Sequence, residues 1–274
     1  MQNELSTPSC PAFSVDSHFH VFEGGQSVPE ARYSPTYAAS FSDWQNAAKQ
    51  VGVTHGVLVQ TSFMGTDNRY LLQHLQQNPD TLRGVAVVAA SASYQELSDL
   101  HDQGVRGIRL NFAGQSHDMS AWRAAKPLWD TMLRLGWHVE LHTDTAALPA
   151  VLRSVPLSIP VVIDHFGKPE TASLRDETVQ AVQTRVAAAA AQVYVKLSAP
   201  YRLEVGIDPK ELAQLWLNEL GIDALLWGSD WPCTNFEAQA SYSTLHDALT
   251  DWLCDNLDGM QAIKSTNPKR LYWA

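Results

Sequence analysis

FSVDSHFH (residues 13–20) is an apolar run that ends in two histidines, His18 and His20. Seven runs of similar length follow it, at 54–61, 83–89, 104–112, 138–144, 159–167, 193–202 and 225–232. Most are rich in Val, Ile and Leu, which is typical of parallel strands buried on both faces. Their starts lie 21 to 41 residues apart, and a strand with its crossover helix needs about 30 residues. The spacing therefore predicts eight strands that alternate with helices.

Amphipathic segments fill most of the gaps between these runs. They predict helices at 67–78, 93–103, 119–135, 145–154, 175–191, 208–220 and 237–255. Ser93 and Glu96 have capping-box spacing, and Pro127 is expected near a first turn or at a kink. The alternation predicts an α/β fold, a (β/α)8 TIM barrel, as a single domain over residues 1–274. An open doubly wound sheet is the alternative, but only a closed barrel makes the first and last strands neighbours.

The bulk composition argues against several classes of protein. A formal net charge of −10 disfavours nucleic acid or an anionic membrane as a partner. No stretch reaches the ~20 apolar residues of a membrane span, and the N-terminus lacks a secretory signal pattern. Three cysteines without CxxC spacing fit a reducing cytoplasm, so we expect a cytoplasmic protein. The nine tryptophans permit a homo-oligomeric interface without requiring one.

Five side chains with acid–base or metal-binding chemistry lie at the ends of predicted strands. They are His18, His20, His142, His165 and Asp230. A barrel brings the carboxyl ends of its strands to one mouth, where barrel chemistry takes place. Neutral imidazoles bind zinc or polarise a carbonyl oxygen, and a carboxylate beside a water acts as a general base. The sequence therefore predicts a hydrolytic site, with Asp230 partly desolvated between tryptophans and its pKa raised.

Cationic and polar residues near the same mouth predict a small carboxylate-bearing substrate. Arg109 and Arg202 lie at the ends of the fourth and seventh runs, and guanidinium binds carboxylate through paired hydrogen bonds. Gln60 and Ser62 follow the second run and are further candidates for substrate binding. Tyr33 lies in a long first loop that is expected to cover the site.

Glu140 lies deeper in its strand, on the same face as His142. A carboxylate on an apolar wall is costly unless it has a partner. Lys196, in the seventh run, is the predicted partner in a buried ion pair.

Six segments, taken together, resemble those of one family. They are DSHFHVF, VLVQTSFMGTDNR, GVRGIRLNF, VVIDHFGKP, VKLSAPYRL and LLWGSDWP. From about residue 13 to its end, the chain is similar to the amidohydrolase-related lactonases typified by the 2-pyrone-4,6-dicarboxylate hydrolases. The resemblance implies a distorted barrel and metal-free hydrolysis of a lactone. It further implies histidines around the scissile carbonyl, an aspartate that activates water and arginines that hold carboxylates. These roles fall on His18, His20, His165, Asp230, Arg109 and Arg202.

His142 departs from this family pattern, because the pyrone hydrolases have a tyrosine at the matching position. In metal-dependent relatives a histidine of the fifth strand is a ligand. His18, His20, His142 and Asp230 would make a zinc site of three nitrogens and one oxygen. The sequence therefore leaves two cofactor states open, no required cofactor or one divalent metal such as zinc. Hydrolysis of a sugar-acid lactone and zinc-dependent decarboxylation are the alternative activities.

Overall fold

Eight parallel strands form the centre of the molecule and follow chain order around one sheet. The computed structural model describes residues 13–29, 31–112, 116–188 and 192–274. The strands are β1 (Val15–Phe19), β2 (His55–Val59), β3 (Leu82–Ala86), β4 (Val105–Asn111), β5 (His138–His142), β6 (Val161–Ile163), β7 (Val193–Leu197) and β8 (Leu225–Trp227). Because every pairing is parallel, all the carboxyl ends lie at one edge. The predicted (β/α)8 architecture is confirmed.

The barrel closes between β1 and the segment that follows β8. The Asp230 amide donates to the His18 carbonyl and the His20 amide donates to the Trp231 carbonyl, both at 2.8 Å. Phe19 and Trp231 also form a parallel bridge. Closure at the carboxyl end therefore sets Asp230 beside His18 of β1 and His20, which directly follows β1.

Helices surround the strands. They are α1 (Phe41–Gln50), α2 (Arg69–Gln77), α3 (Tyr94–Asp102), α4 (Ser120–Ala124), α5 (Lys126–Arg134), α6 (Leu148–Ser154), α7 (Asp176–Ala187), α8 (Pro209–Leu220), α9 (Tyr242–Trp252), α10 (Leu257–Gln261) and α11 (Asn267–Tyr272). The capping box of Ser93 and Glu96 is present at the start of α3. The end of the predicted helix 175–191 lies outside the described residues.

The predicted helix 119–135 is divided into two helices by a break at Ala125, and the expectation that Pro127 lies near a first turn or a kink is confirmed. Pro127 lies in the first turn of α5, where its missing N–H does no harm. A continuous helix would place the proline in an interior, where it removes a hydrogen bond and clashes with the preceding turn. The sequence patterns also missed α1, α10 and α11.

The buried apolar side chains form two main layers and a small third cluster of Phe22, Ala39, Phe63 and Met64. The larger layer packs the strands against the surrounding helices. The smaller layer lies inside the barrel and includes Val57, Val59, Val162 and Leu226, with Tyr272 of α11 among them. The C-terminal helix therefore contributes to the barrel interior, on the side away from the carboxyl ends of the strands.

Cys233 and Cys254 have free thiols, and Cys10 lies outside the described residues. None of the helices within the described ranges has the length and apolar character needed to cross a membrane.

Candidate active site

Turns after the strands, rather than the strands themselves, carry part of the site. β6 and β8 are shorter than the sequence predicts and end at Ile163 and Trp227. His165 and Asp230 lie in the turns that follow, with left-handed φ values of 53° and 54°. This backbone conformation is unfavourable for a residue with a Cβ and is concentrated at functional sites. The turns place both side chains close to His18 and His20.

Asp230 Oδ1 lies among three imidazole nitrogens. It is 3.5 Å from His18 Nε2, 3.3 Å from His20 Nε2 and 3.9 Å from His165 Nε2. All four side chains are buried. The barrel thus brings together the four residues for which the sequence predicts catalytic roles.

The expected rise in the pKa of Asp230 is wrong. Burial disfavours the carboxylate, but the Arg202 guanidinium outweighs burial and holds the pKa of Asp230 well below its usual range. Asp230 Oδ2 accepts hydrogen bonds from Tyr201 Oη and Arg202 Nε, both at 2.8 Å. Asp230 is therefore ionised at neutral pH, with Oδ2 engaged and Oδ1 facing the histidines.

Neighbouring groups fix the tautomer of His20. Its Nδ1 lies 2.7 Å from the Val59 carbonyl oxygen, which can only accept, so Nδ1 carries the proton. In the neutral ring Nε2 is then an acceptor that points toward Asp230 and His18.

The tautomer of His18 depends on which of two charged neighbours its Nδ1 bonds. Lys196 Nζ lies 3.0 Å away and can only donate, whereas Asp164 Oδ1 lies 3.3 Å away and can only accept. The shorter contact with Lys196 leaves the proton on His18 Nε2, where it can be donated to a substrate oxygen. The alternative bond to Asp164 would leave His18 Nε2 as a lone pair.

Three site histidines are held neutral. Burial and the nearby Lys196 lower the pKa of His18 to about 4. Burial, together with cationic neighbours, also lowers the pKa values of His142 and His165 well below their usual range. Neutral rings can each donate one hydrogen bond and accept another.

His142 lies on the cavity wall but outside the His18, His20 and Asp230 group. Arg109 Nη2 lies 3.2 Å from His142 Nδ1. Because guanidinium can only donate, His142 Nδ1 accepts and Nε2 carries the proton. That Nε2 is buried and has no hydrogen-bond partner among the described residues. This tautomer makes His142 a hydrogen-bond donor rather than a metal ligand.

A layer of buried charges supports the site from below. Lys196 Nζ donates to Glu140 Oε1 at 2.6 Å, so the predicted ion pair is confirmed. Burial opposes the charge of Glu140, but the attraction of Lys196 outweighs it and lowers the pKa of Glu140 to about 2. Tyr272 Oη donates to the same carboxylate oxygen at 3.0 Å. These contacts hold Lys196 at the position from which it reaches His18.

Asp164 connects this layer to the cavity and was missed by sequence reasoning. Its Oδ2 accepts from Arg109 Nε at 3.0 Å, and its Oδ1 lies 3.4 Å from Lys196 Nζ. Burial disfavours its charge, but Lys196 and Arg109 hold the pKa of Asp164 well below its usual range. The available signal was a carboxylate directly after the apolar run of β6.

Asp16 is a second missed residue and orders the end of β8. It is fully buried and accepts from the Ser229 amide and hydroxyl at 2.9 and 2.7 Å. Trp44 Nε1 and Tyr242 Oη donate to it from α1 and α9 at 2.9 and 3.0 Å. Since Ser229 precedes Asp230, this network fixes the turn that carries Asp230.

A cavity of about 560 Å³ opens above the histidine group. Of the predicted substrate-binding residues, four line it, namely Tyr33, Ser62, Arg109 and Arg202. Gln60 lies outside the described wall, because its Nε2 donates to the Asp67 carbonyl at 2.6 Å and orders the loop after β2. Arg32 and Lys168 add positive charge that the sequence reasoning had not assigned to the site.

The donor set at the cavity floor fits a divalent cation. His18, His20 and Asp230 offer ligand atoms that all lie within 4.8 Å of one another. Two imidazoles and one carboxylate match the three protein ligands of catalytic zinc sites. The bond from His20 Nδ1 to the Val59 carbonyl is the outer support that metal-binding histidines commonly have. His18 would meet the same requirement by donating from Nδ1 to Asp164.

Histidines and an aspartate that converge at the mouth of a (β/α)8 barrel define a barrel hydrolase. A family model described as Amidohydrolase matches residues 15–273. The chain therefore belongs to the amidohydrolase family.

Curated relatives include lactone hydrolases. The chain is 31% identical to a 2-pyrone-4,6-dicarboxylate hydrolase of Comamonas testosteroni, over 96% of this chain and 91% of the relative. It is 28% identical to a 4-sulfomuconolactone hydrolase of Rhizobium radiobacter, over 82% of this chain and 78% of the relative.

Solved structures share the fold. A probable 2-pyrone-4,6-dicarboxylic acid hydrolase of Acinetobacter baumannii, with citric acid bound, has a TM-score of 0.85 and 31% identity over 95% of this chain and 99% of the other. A zinc-bound amidohydrolase of Burkholderia multivorans has a TM-score of 0.76 but 18% identity, over 96% and 99% of the two chains. A dihydroxybenzoic acid decarboxylase of Polaromonas is more distant, with a TM-score of 0.61 and 13% identity over 95% and 97%.

Proposed function

We propose that this chain hydrolyses a lactone that carries a carboxylate, of the kind represented by 2-pyrone-4,6-dicarboxylate. The observation that carries the proposal is the convergence of three imidazole nitrogens on Asp230 Oδ1 beneath a cavity lined by cations. A general base, carbonyl-polarising donors and cations for a carboxylate are the groups that this reaction needs. The lactone hydrolases among the relatives support the same class of reaction.

Water is activated between Asp230 and His20. Asp230 Oδ1 and His20 Nε2 are both acceptors and lie 3.3 Å apart, so together they orient the hydrogens of one water. The water oxygen forms a bond to the lactone carbonyl carbon while one of its protons passes to Asp230. The ring C–O bond then breaks, and the leaving oxygen takes the proton back from Asp230. Asp230 is regenerated and the product carries a new carboxyl group.

His18 and His165 stabilise the negative charge that develops on the carbonyl oxygen. His18 Nε2 carries a proton when Lys196 donates to Nδ1. His165 Nδ1 lies 2.8 Å from the Ser198 hydroxyl, and donation by that hydroxyl leaves a proton on His165 Nε2. Two N–H donors aimed at a developing oxyanion form an oxyanion hole, which is often the largest electrostatic contribution to catalysis.

A divalent cation, held by His18, His20 and Asp230, would supply Lewis-acid polarisation of the same carbonyl. The chain's own groups are sufficient to orient water and donate to the oxyanion. We therefore propose that hydrolysis has no absolute metal requirement, with a divalent metal as the alternative that the first experiment separates.

The first experiment follows the ultraviolet absorbance of 2-pyrone-4,6-dicarboxylate during incubation with the enzyme. Chelator-treated and zinc-supplemented samples are compared. We expect turnover that survives chelation. Turnover that is lost on chelation and restored by zinc would assign the metal to the His18, His20 and Asp230 group. If folded enzyme shows no turnover in either state, this pyrone is not the substrate, and sugar-acid lactones become the next class to assay.

The neutral histidines make the stability of the protein sensitive to acid. The pKa values of His142 and His165 lie well below 6.5 in the folded chain, whereas in the unfolded chain both protonate near 6.5. The unfolded state therefore binds more protons below pH 6.5, and stability falls as the pH falls.

We expect the free energy of unfolding to drop by about 2 kcal/mol for each histidine between pH 7 and 5. Urea denaturation at both pH values measures the drop, which His142→Asn should reduce. A free energy that does not change between pH 7 and 5 would contradict this account.

A further inference from the structure

Residues 165–168 form a left-handed turn on the cavity wall. The φ values are 53° at His165, 56° at Phe166, 73° at Gly167 and 44° at Lys168, so three residues with a Cβ adopt a conformation that favours glycine. Packing holds the turn, because Trp216 Nε1 donates to the Phe166 carbonyl at 2.9 Å and the Phe166 ring packs against Trp252. Such strain persists where it positions functional groups. A catalytic role for His165 would explain the strain at the first residue of this turn. It would not explain the strain at Lys168, the last residue.

Lys168 is half-buried on the cavity wall. Its backbone amide donates to the His165 carbonyl at 2.9 Å, but its ammonium has no hydrogen bond or ion pair with the described residues. Arg109 and Arg202 on the same wall differ from Lys168, because Arg109 pairs with Asp164 and Arg202 pairs with Asp230. Asp144, another carboxylate on the wall, lies 3.5 Å from His117. A half-buried ammonium without a carboxylate partner is expected to attract an anion from solution.

His142 gives a second, independent indication of where that anion binds. Its Nε2 carries a proton and is buried without a partner among the described residues. Lys168 is close enough to contribute to the lowered pKa of His142. A cation and an unsatisfied N–H donor therefore lie on the same side of the cavity.

We propose that Lys168 is a specificity residue that binds an anionic substituent of the substrate, beside His142. Arg109 and Arg202 are already engaged by carboxylates of the protein, whereas the Lys168 ammonium has no carboxylate partner among the described residues. The proposal rests on the proposed function only in taking this cavity as the place where the substrate binds.

The test measures binding of stable ring compounds by calorimetry, so it does not depend on turnover. Isophthalate carries two carboxylates on a planar ring, and isophthalamide is its neutral counterpart. We expect the wild-type protein to bind isophthalate more tightly. Lys168→Met should weaken isophthalate binding about tenfold and leave isophthalamide binding within about twofold, since one charge-assisted contact contributes about this much.

Two variants and one control make the result interpretable. Lys168→Arg keeps the charge and should retain the preference for isophthalate, whereas Lys168→Gln should lose it even if Lys168→Met folds poorly. Lys126→Met removes an exposed lysine from α5 and should change neither affinity. The proposal is overturned if the wild type does not prefer the dianion, or if folded Lys168→Gln keeps that preference. Loss of lactone hydrolysis with a retained dianion preference would instead reject the proposed function alone.

Discussion

Asp230→Asn is expected to lower kcat by about 10³-fold or more, because a general base contributes about 10²–10⁴-fold and the amide cannot take a proton from water. Asp230 Oδ1 is the only carboxylate oxygen in the described structure that lies within 4 Å of all three imidazole Nε2 atoms. Asparagine keeps the size of the side chain and an oxygen for Arg202 and Tyr201. The loss should therefore appear in kcat rather than in folding.

Steady-state kinetics on the first lactone that is turned over measures this loss. Thermal unfolding and isophthalate binding show whether the fold and the cavity are intact. Tyr201→Phe is the matched control, because it removes a hydrogen bond to Asp230 Oδ2 but leaves the carboxylate in place. We expect that control to reduce kcat by much less than tenfold. A folded Asp230→Asn protein with kcat within about tenfold of the wild type would reject the general-base role.

The barrel could be predicted because its signals are local and repeated. Each apolar run fixes a buried strand, and the spacing between runs fixes the crossover helices. The strand ends were placed too late, because the apolar runs were extended through the Gly, Asp and Pro residues after β6 and β8, which are typical of turns rather than strands. Their left-handed backbone is imposed by tertiary contacts, such as the Asp16 bonds to Ser229 and the Trp216 bond to Phe166.

The residues that make up the site could be predicted from the sequence, but the hydrogen bonds and ion pairs between them could not. His18, His20, His165 and Asp230 converge as the parallel topology requires. The pKa of Asp230 is lowered, whereas the sequence predicts that it is raised. The prediction failed because no local pattern shows that Arg202 reaches the carboxylate. His142 likewise depends on Arg109, a neighbour on the adjacent strand whose bond selects the tautomer.

Lys196→Met is expected to destabilise the folded protein by about 3–5 kcal/mol, the usual cost of breaking a buried ion pair by removing one partner. Lys196 is fully buried and lies 2.6 Å from Glu140 and 3.4 Å from Asp164. Its loss leaves two buried carboxylates with less compensating charge. Part of the charge would be relieved by proton uptake, so the destabilisation should be larger at pH 8 than at pH 6.

Urea denaturation of Lys196→Met measures this cost, with Lys126→Met as the control. Lys126 also pairs with a carboxylate, at 2.7 Å, but its side chain is 80% exposed, so its removal should cost less than about 1 kcal/mol. Adding Glu140→Gln to Lys196→Met removes one of the uncompensated charges and should recover part of the stability, which a double-mutant cycle quantifies. Equal costs for the buried and exposed lysines would contradict the structural role of Lys196.

Because the same ammonium lies 3.0 Å from His18 Nδ1, the stable double variant should still hydrolyse lactone more slowly than Glu140→Gln alone. That difference would separate the effect of Lys196 on the His18 tautomer from its effect on folding.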